Sequence, residues 1–194
     1  MTRVLLPVAD GSEDIETVTV IDVLRRAEVD VLIASVMREV EVTLARGTML
    51  TADVTLDAVG ESQSFDAIVL PGGMPGASRL RDSETLKQHL LRQRAAQGWI
   101  AAICAAPGIV LATHDLVRGH DVTGYPAFQA PLAEAGGHLS QRCVVEDRRL
   151  VTSQGPATAM AFALHLVGLL VDEQTKARIA EGLLVDVAWA DQRH

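Results

Sequence analysis

Four short stretches restrict the fold more than anything else in this chain. They are RVLLPV (Arg3 to Val8), VDVLIAS (Val29 to Ser35), FDAIVL (Phe65 to Leu70) and WIAAI (Trp99 to Ile103), each apolar almost without interruption. A strand with one wet face alternates apolar and polar residues; a continuously apolar one must be covered on both faces. Amphipathic segments separate the four, which predicts helices over about 12–27, 82–96, 157–171 and 173–184, with a short helix opening near Pro107. Strand–helix alternation of this kind gives a mostly parallel sheet with helices on both sides, and one α/β domain over residues 1–194 is expected. Ser12 is placed to cap the first helix, with Glu13 and Asp14 in its first turn. Residues 36–57 read as short β pieces broken at Ala45-Arg46-Gly47, and weaker strands are expected at 121–123, 143–146 and 150–153.

Composition narrows the function classes. Seventeen Lys and Arg against 25 Asp and Glu leave a formal charge of −8, and only 3% of residues are aromatic. Nucleic-acid binding needs the opposite, a basic footprint with stacking platforms. No apolar run is long enough to span a membrane. With 48% hydrophobic residues and 22% charged ones, more apolar surface is expected than a monomer needs, hence a homodimer. Cys104 and Cys143 form neither a CxxC pair nor a disulfide framework, so a cytoplasmic protein with reduced thiols is expected.

The stretch AAICAAPG (Ala101 to Gly108) carries the chemistry. Its strand ends at Ile103, and Pro107 is tolerated only in the first turn of a helix. The chain must therefore turn within about three residues around Cys104, and the small neighbours Ala102, Ala105 and Ala106 permit it. Such an elbow puts a nucleophile beyond the carboxyl end of a strand, where open parallel sheets bind ligands, and at a helix N-terminus, which favours thiolate. LPGGMPG (Leu70 to Gly76) reaches the same edge. The N–H of Gly73 can point at an anion there, or the turn simply requires a positive φ. Glu16 lies on the core stripe of the first helix with Val20, Val23, Leu24 and Ala27; a carboxyl buried there stays protonated near neutral pH, unless it reaches solvent at the helix start.

No histidine base is apparent. His165 sits in an apolar helix, His89 in a polar register, His138 after a Gly-Gly turn, His194 at the end, and His114 and His120 are remote from Cys104. No zinc-like spacing occurs, and neither metal nor cofactor is expected. Cys143 reads as a packing residue.

Five segments occur together in order: GSEDIET (Gly11 to Thr17), LPGG (Leu70 to Gly73), AAICAAP (Ala101 to Pro107), VTGYP (Val122 to Pro126) and TSQGP (Thr152 to Pro156). As a set they resemble the ThiJ/PfpI superfamily, in the branch that holds the Parkinsonism-associated deglycase and, nearest to this chain, bacterial YajL. The resemblance spans about residues 2–187. It implies a flavodoxin-like three-layer sandwich, a homodimer, and a reactive cysteine at Cys104. It also implies a protonated glutamate at Glu16 that hydrogen-bonds the thiolate or its sulfinate, backbone donors at Gly73 and Ala105, and pocket or dimer-interface arginines at Arg26 and Arg46. Tyr125 and Pro126 match the pocket segment. Tyr125 replaces the histidine of the Parkinsonism-associated member, and Ala105 replaces the histidine that follows the nucleophile in protease-like members, which argues against peptidase activity.

The activity implied is cofactor-independent detoxification of small dicarbonyls: conversion of methylglyoxal to lactate, deglycation of proteins and nucleotides, or both. The alternative is an oxidative-stress sensor or redox-regulated chaperone that uses oxidation of Cys104.

Overall fold

A computed structural model describes residues 2–60 and 63–185. The four apolar runs become β1 (Arg3–Val8), β2 (Asp30–Ser35), β6 (Ala67–Leu70) and β7 (Trp99–Ile103). Between them lie α1 (Asp14–Arg26), the hairpin β3 (Glu41–Thr43) and β4 (Met49–Thr51), the edge strand β5 (Val54–Thr55), and the helices α2 (Gly76–Asp82) and α3 (Glu84–Ala95). After β7 come β8 (Asp121–Val122), α4 (Gln129–Glu134), β9 (His138–Leu139), β10 (Val144–Asp147), β11 (Leu150–Ser153), α5 (Ala159–Leu170) and α6 (Glu173–Gly182). The main sheet has the order β10-β11-β7-β6-β1-β2-β5 and is parallel except for the β10–β11 hairpin. The flavodoxin-like three-layer architecture is therefore present.

Strand residues alternate between two cores. Val4, Leu6, Val8, Val69, Ala101 and Ile103 pack beneath α1, α5 and α6, with Leu24 and Phe162 fully buried. Leu5, Ile68, Leu70, Ile100 and Ala102 pack on the other face with Leu80 of α2 and Leu86 and Leu90 of α3. Burying each such large side chain contributes about 1.5–3 kcal/mol, which explains why these strands read as unbroken apolar runs.

Several boundaries differ from expectation. The helix predicted at 82–96 is α3, capped by the Ser83 hydroxyl, which accepts from Leu86 N–H, and the unexpected α2 precedes it. The expected Ser12 cap is Glu13 instead: its carboxylate accepts Glu16 N–H at 2.8 Å, while Ser12 Oγ turns back to accept Ala9 N–H at 3.0 Å. Residues 36–57 divide, with β3 and β4 pairing only with each other and β5 joining the main sheet. The strand at 121–122 pairs with β9 outside that sheet. No described helix is long and apolar enough to cross a membrane.

Connectivity fixes where a site can form. From β1 the chain first adds β2 on one side, then returns to place β6 on the other. The crevice at the carboxyl ends of such neighbours is the ligand-binding position of doubly wound sheets. The loops after β1, β6 and β7 open there.

Candidate active site

The loop after β7 turns at Cys104, whose φ of 64° lies in the left-handed region. A non-glycine residue there costs about 1 kcal/mol or more. Backbone bonds on both sides hold it: Cys104 N–H donates to Ser153 O at 2.9 Å, and Cys104 O accepts Tyr125 N–H at 2.8 Å. The chain then enters a short π-helical segment at Pro107–Leu111. Cys104 is 8% exposed, so a small molecule can reach it only from the crevice.

The loop after β6 lies against it. At Gly72 a Cβ would sit 2.6 Å from Cys104 Cβ and 2.9 Å from Glu16 Oε2, so no side chain fits. Gly73, at φ 87°, has no room either, because its Cβ would meet Gly11 O and the Glu13 amide. The Gly73 and Ala105 amides lie near enough to the Cys104 sulfur to pull its ionisation down.

Glu16 is fully buried. Its Oε2 accepts Gly72 N–H at 2.8 Å, whereas Oε1 has no donor with hydrogen-bond geometry. The Cys104 side chain lies within hydrogen-bonding influence of the carboxyl. Burial pushes Glu16 up to about 7, with Gly72 and Cys104 opposing and the charge of Glu13 adding to the rise. An unpartnered oxygen is accounted for if it carries the proton, since O–H then donates toward sulfur.

The thiol does not follow the simple expectation of a helix N-terminus. Burial first, then the facing Glu16 carboxylate, push Cys104 up to about 12, while the Gly73 and Ala105 amides pull the other way. Cys104 and Glu16 must be treated as one titrating pair. The pair loses its first proton near neutral pH and holds its second far above it. In the one-proton state, thiolate with carboxylic acid and thiol with carboxylate carry the same total charge. Gly73 and Ala105 favour the first arrangement, and Gly72 favours the second.

Glu13 was expected only as a first-turn acid. It caps α1, its N–H donates to Gly72 O at 3.0 Å, and its charge acts on Glu16. Gly72 was part of the motif, but its own contacts to Cys104 and Glu16 were not legible. Tyr125 and Pro126 lie on the exposed segment beside the cysteine, with the Tyr125 ring near Gly155 and 6.2 Å from Phe128. Arg46 is in the β3–β4 turn, where its N–H donates to Asp14 at 2.8 Å, close to the start of α1. Arg26 is not brought to the cysteine. It pairs with Asp22 at the far end of α1, ten residues and about 15 Å of helix from Glu16.

The histidines are engaged elsewhere. His114 contacts Arg81 O, His120 and His165 contact Asp147 and Glu146, and His138 lies in β9. His89, expected on a polar face, is buried with its ring edge-on to Phe65. His194 lies outside the described residues. Among the described residues, no group of three His, Cys, Asp or Glu side chains could hold a metal ion. Cys143 is half-buried immediately before β10.

The sequence profile of the DJ-1/PfpI family matches residues 2–169. The chain belongs to the DJ-1/PfpI family. DJ-1 homolog B of Arabidopsis thaliana is 39% identical over 183 residues, covering 94% of this chain and 41% of that protein, so the chain spans less than half of that relative. A glutathione-independent glyoxalase of Caenorhabditis elegans, DJR-1.2, is 38% identical over 168 residues, 86% of this chain and 87% of that protein. Among solved structures, oxidized DJ-1 of Toxoplasma gondii superposes with a TM-score of 0.91 at 41% identity, covering 95% of this chain and 99% of that one. The DJ-1/PfpI family thus includes a named glyoxalase among this chain's relatives.

Proposed function

We propose that the protein detoxifies small dicarbonyls without glutathione, converting methylglyoxal to lactate at Cys104. The observation that carries this reading is the fully buried Glu16 carboxyl, one oxygen without a partner, set against Cys104 across Gly72 at a left-handed turn. The thiolate adds to the aldehyde carbon, and the alkoxide that forms takes the Glu16 proton while the Gly73 and Ala105 N–H groups stabilise developing charge. The Glu16 carboxylate then removes the hydrogen from that carbon, the hydroxyl proton passes to the neighbouring ketone oxygen, and Glu16 returns its proton to the neighbouring carbon, leaving a lactoyl thioester. Water cleaves the thioester to lactate and restores the thiol. The aldehyde carbon is oxidised and the ketone carbon reduced, so no external electron carrier is needed. Tyr125 borders the entrance, and deglycation of protein or nucleotide adducts is the same attack with an amine as leaving group.

The protein is proposed to work as a homodimer: Ile15 and Val18 of α1 and Met49 of the adjoining hairpin are large exposed apolar residues. Cytoplasmic placement is proposed from its unpaired thiols.

The test is lactate production from methylglyoxal in glutathione-free buffer by wild type, Cys104→Ala and Glu16→Gln. Turnover by wild type alone supports the enzyme. Turnover that survives Cys104→Ala refutes it.

A second reading has its own support in the likeness to an oxidized DJ-1 structure and in the donors gathered at the sulfur. Here two equivalents of peroxide convert the thiolate to a sulfinate and two waters. A gain of two oxygens at Cys104 under peroxide, together with absent turnover by the reduced protein, favours this sensor role.

A further inference from the structure

A cavity of about 610 Å³ opens at the edge of the sheet opposite Cys104. It lies at the amino ends of β7 and β11, with Arg94, Trp99, Leu116, His120, Arg148 and Arg149 in its lining. The length of β7, five residues or about 16 Å, separates Trp99 from the end of the strand that leads to Cys104. This site is therefore independent of the proposed activity.

Its chemistry is unlike the rest of the molecule. The whole chain carries −8, yet no acidic side chain lines this cavity, while three arginines and a histidine do. Acidic neighbours are present at its margin: Asp147 pairs with Arg148 and His120. Arg94 donates to the Asp115 carbonyl. Arg149 is different. Its guanidinium lies 4.7 Å from the centre of the Trp99 ring and forms no ion pair among the described residues. The two-residue turn of the β10–β11 hairpin is Arg148-Arg149, and Arg148 has a φ of 58°. Glycine or asparagine is the comfortable choice at such a turn. Two arginines there place positive charge at the cavity mouth despite the backbone cost.

We propose that this cavity binds a flat-ringed anion of nucleoside-monophosphate size. The volume falls within the range of small-molecule sites. The Trp99–Arg149 pair offers a stacking surface for the ring. Arg149 supplies planar donors for a phosphate, which guanidinium groups recognise with two parallel hydrogen bonds, while Arg148, held by Asp147 and the Gly119 carbonyl, stands beside it at the cavity mouth. His120, whose Nδ1 is occupied by Asp147, retains a second ring nitrogen as a further polar contact. Leu116 lends the apolar wall against which the ring and sugar can rest.

The experiment is an NMR titration of the 15N-labelled protein in low salt with AMP, adenosine and inorganic phosphate in separate series. The expected result is a saturating shift of the Trp99 indole and of the Gly98 and Leu150 amides with AMP. Adenosine and phosphate alone should need at least tenfold higher concentration. Arg149→Gln should weaken AMP at least tenfold while leaving the remaining spectrum in place, because its guanidinium forms no ion pair among the described residues. Trp99→Phe, which keeps a stacking ring, should weaken it less. Absence of shifts at millimolar AMP overturns the proposal. So do equal responses to phosphate and AMP, which identify a bare-anion site, or an AMP affinity indifferent to Arg149→Gln.

Discussion

Replacing Glu16 by Gln should stabilise the folded protein at and above neutral pH, although it alters the most conspicuous polar group of the site. An unfolded chain ionises its glutamates near 4.3, whereas burial holds Glu16 at about 7 in the fold. Between those values the folded state binds the proton more tightly. The stabilising contribution is fully present below about 4.3 and is lost as the pH rises through about 7. At about 1.36 kcal/mol per pH unit of difference, the loss is on the order of 3 kcal/mol. Glutamine cannot ionise, keeps an oxygen for Gly72 N–H and turns an amide toward the sulfur. Urea unfolding of both proteins from pH 4.5 to 8 reads the effect as a difference of midpoints at constant slope. The lowered carboxyls of Asp14, Asp82, Asp147 and Asp172 pull stability the other way in acid, but they are common to both proteins and cancel. The difference should be small at pH 4.5 and grow in favour of Gln to a few kcal/mol at pH 8. A flat difference across that range would refute the burial of a proton-holding carboxyl.

Gly72→Ala should destabilise the protein by about 1–3 kcal/mol and slow alkylation of Cys104, since the new methyl meets Cys104 Cβ at 2.6 Å; unchanged unfolding and alkylation would contradict the close approach. Cys104→Gly should be more stable than Cys104→Ala by about 1 kcal/mol, because only the glycine is relaxed at φ 64°; equal urea midpoints would mean the left-handed turn is not strained. Glu13→Gln retains an oxygen for the cap but removes the charge that raises Glu16. The pH midpoint of Cys104 alkylation should fall below that of wild type, and an unmoved midpoint would disprove the coupling.

The sheet was legible because being covered on both faces leaves an unambiguous mark, an unbroken apolar run. The helix α2 was not, since it begins at Gly76 directly after a glycine- and proline-rich turn, where local signals favour a loop. At the site, Glu16 stood out as a carboxyl on a core stripe, and Cys104 as a residue forced to turn before Pro107. What the chain could not reveal were contacts between loops distant in sequence. Glu13 caps α1 with its carboxylate while its amide is held by the Gly72 carbonyl of the β6 loop. The ionisation of Cys104 depends on Glu16, 88 residues earlier, more than on the short π-helical segment that follows it.

The Gly72 peptide joins these loops, taking the Glu13 amide on its oxygen and giving its own hydrogen to Glu16 across 56 residues of sequence. That hydrogen is shielded only while the loops after β1 and β6 are docked. Its exchange with deuterium therefore counts the fraction of molecules in which the acid is seated, with no substrate and no reaction required. A ligand or substitution that loosens the crevice without unfolding the sheet will quicken exchange at this one amide, while Leu5 and Ile68 deeper in the strands keep their protection.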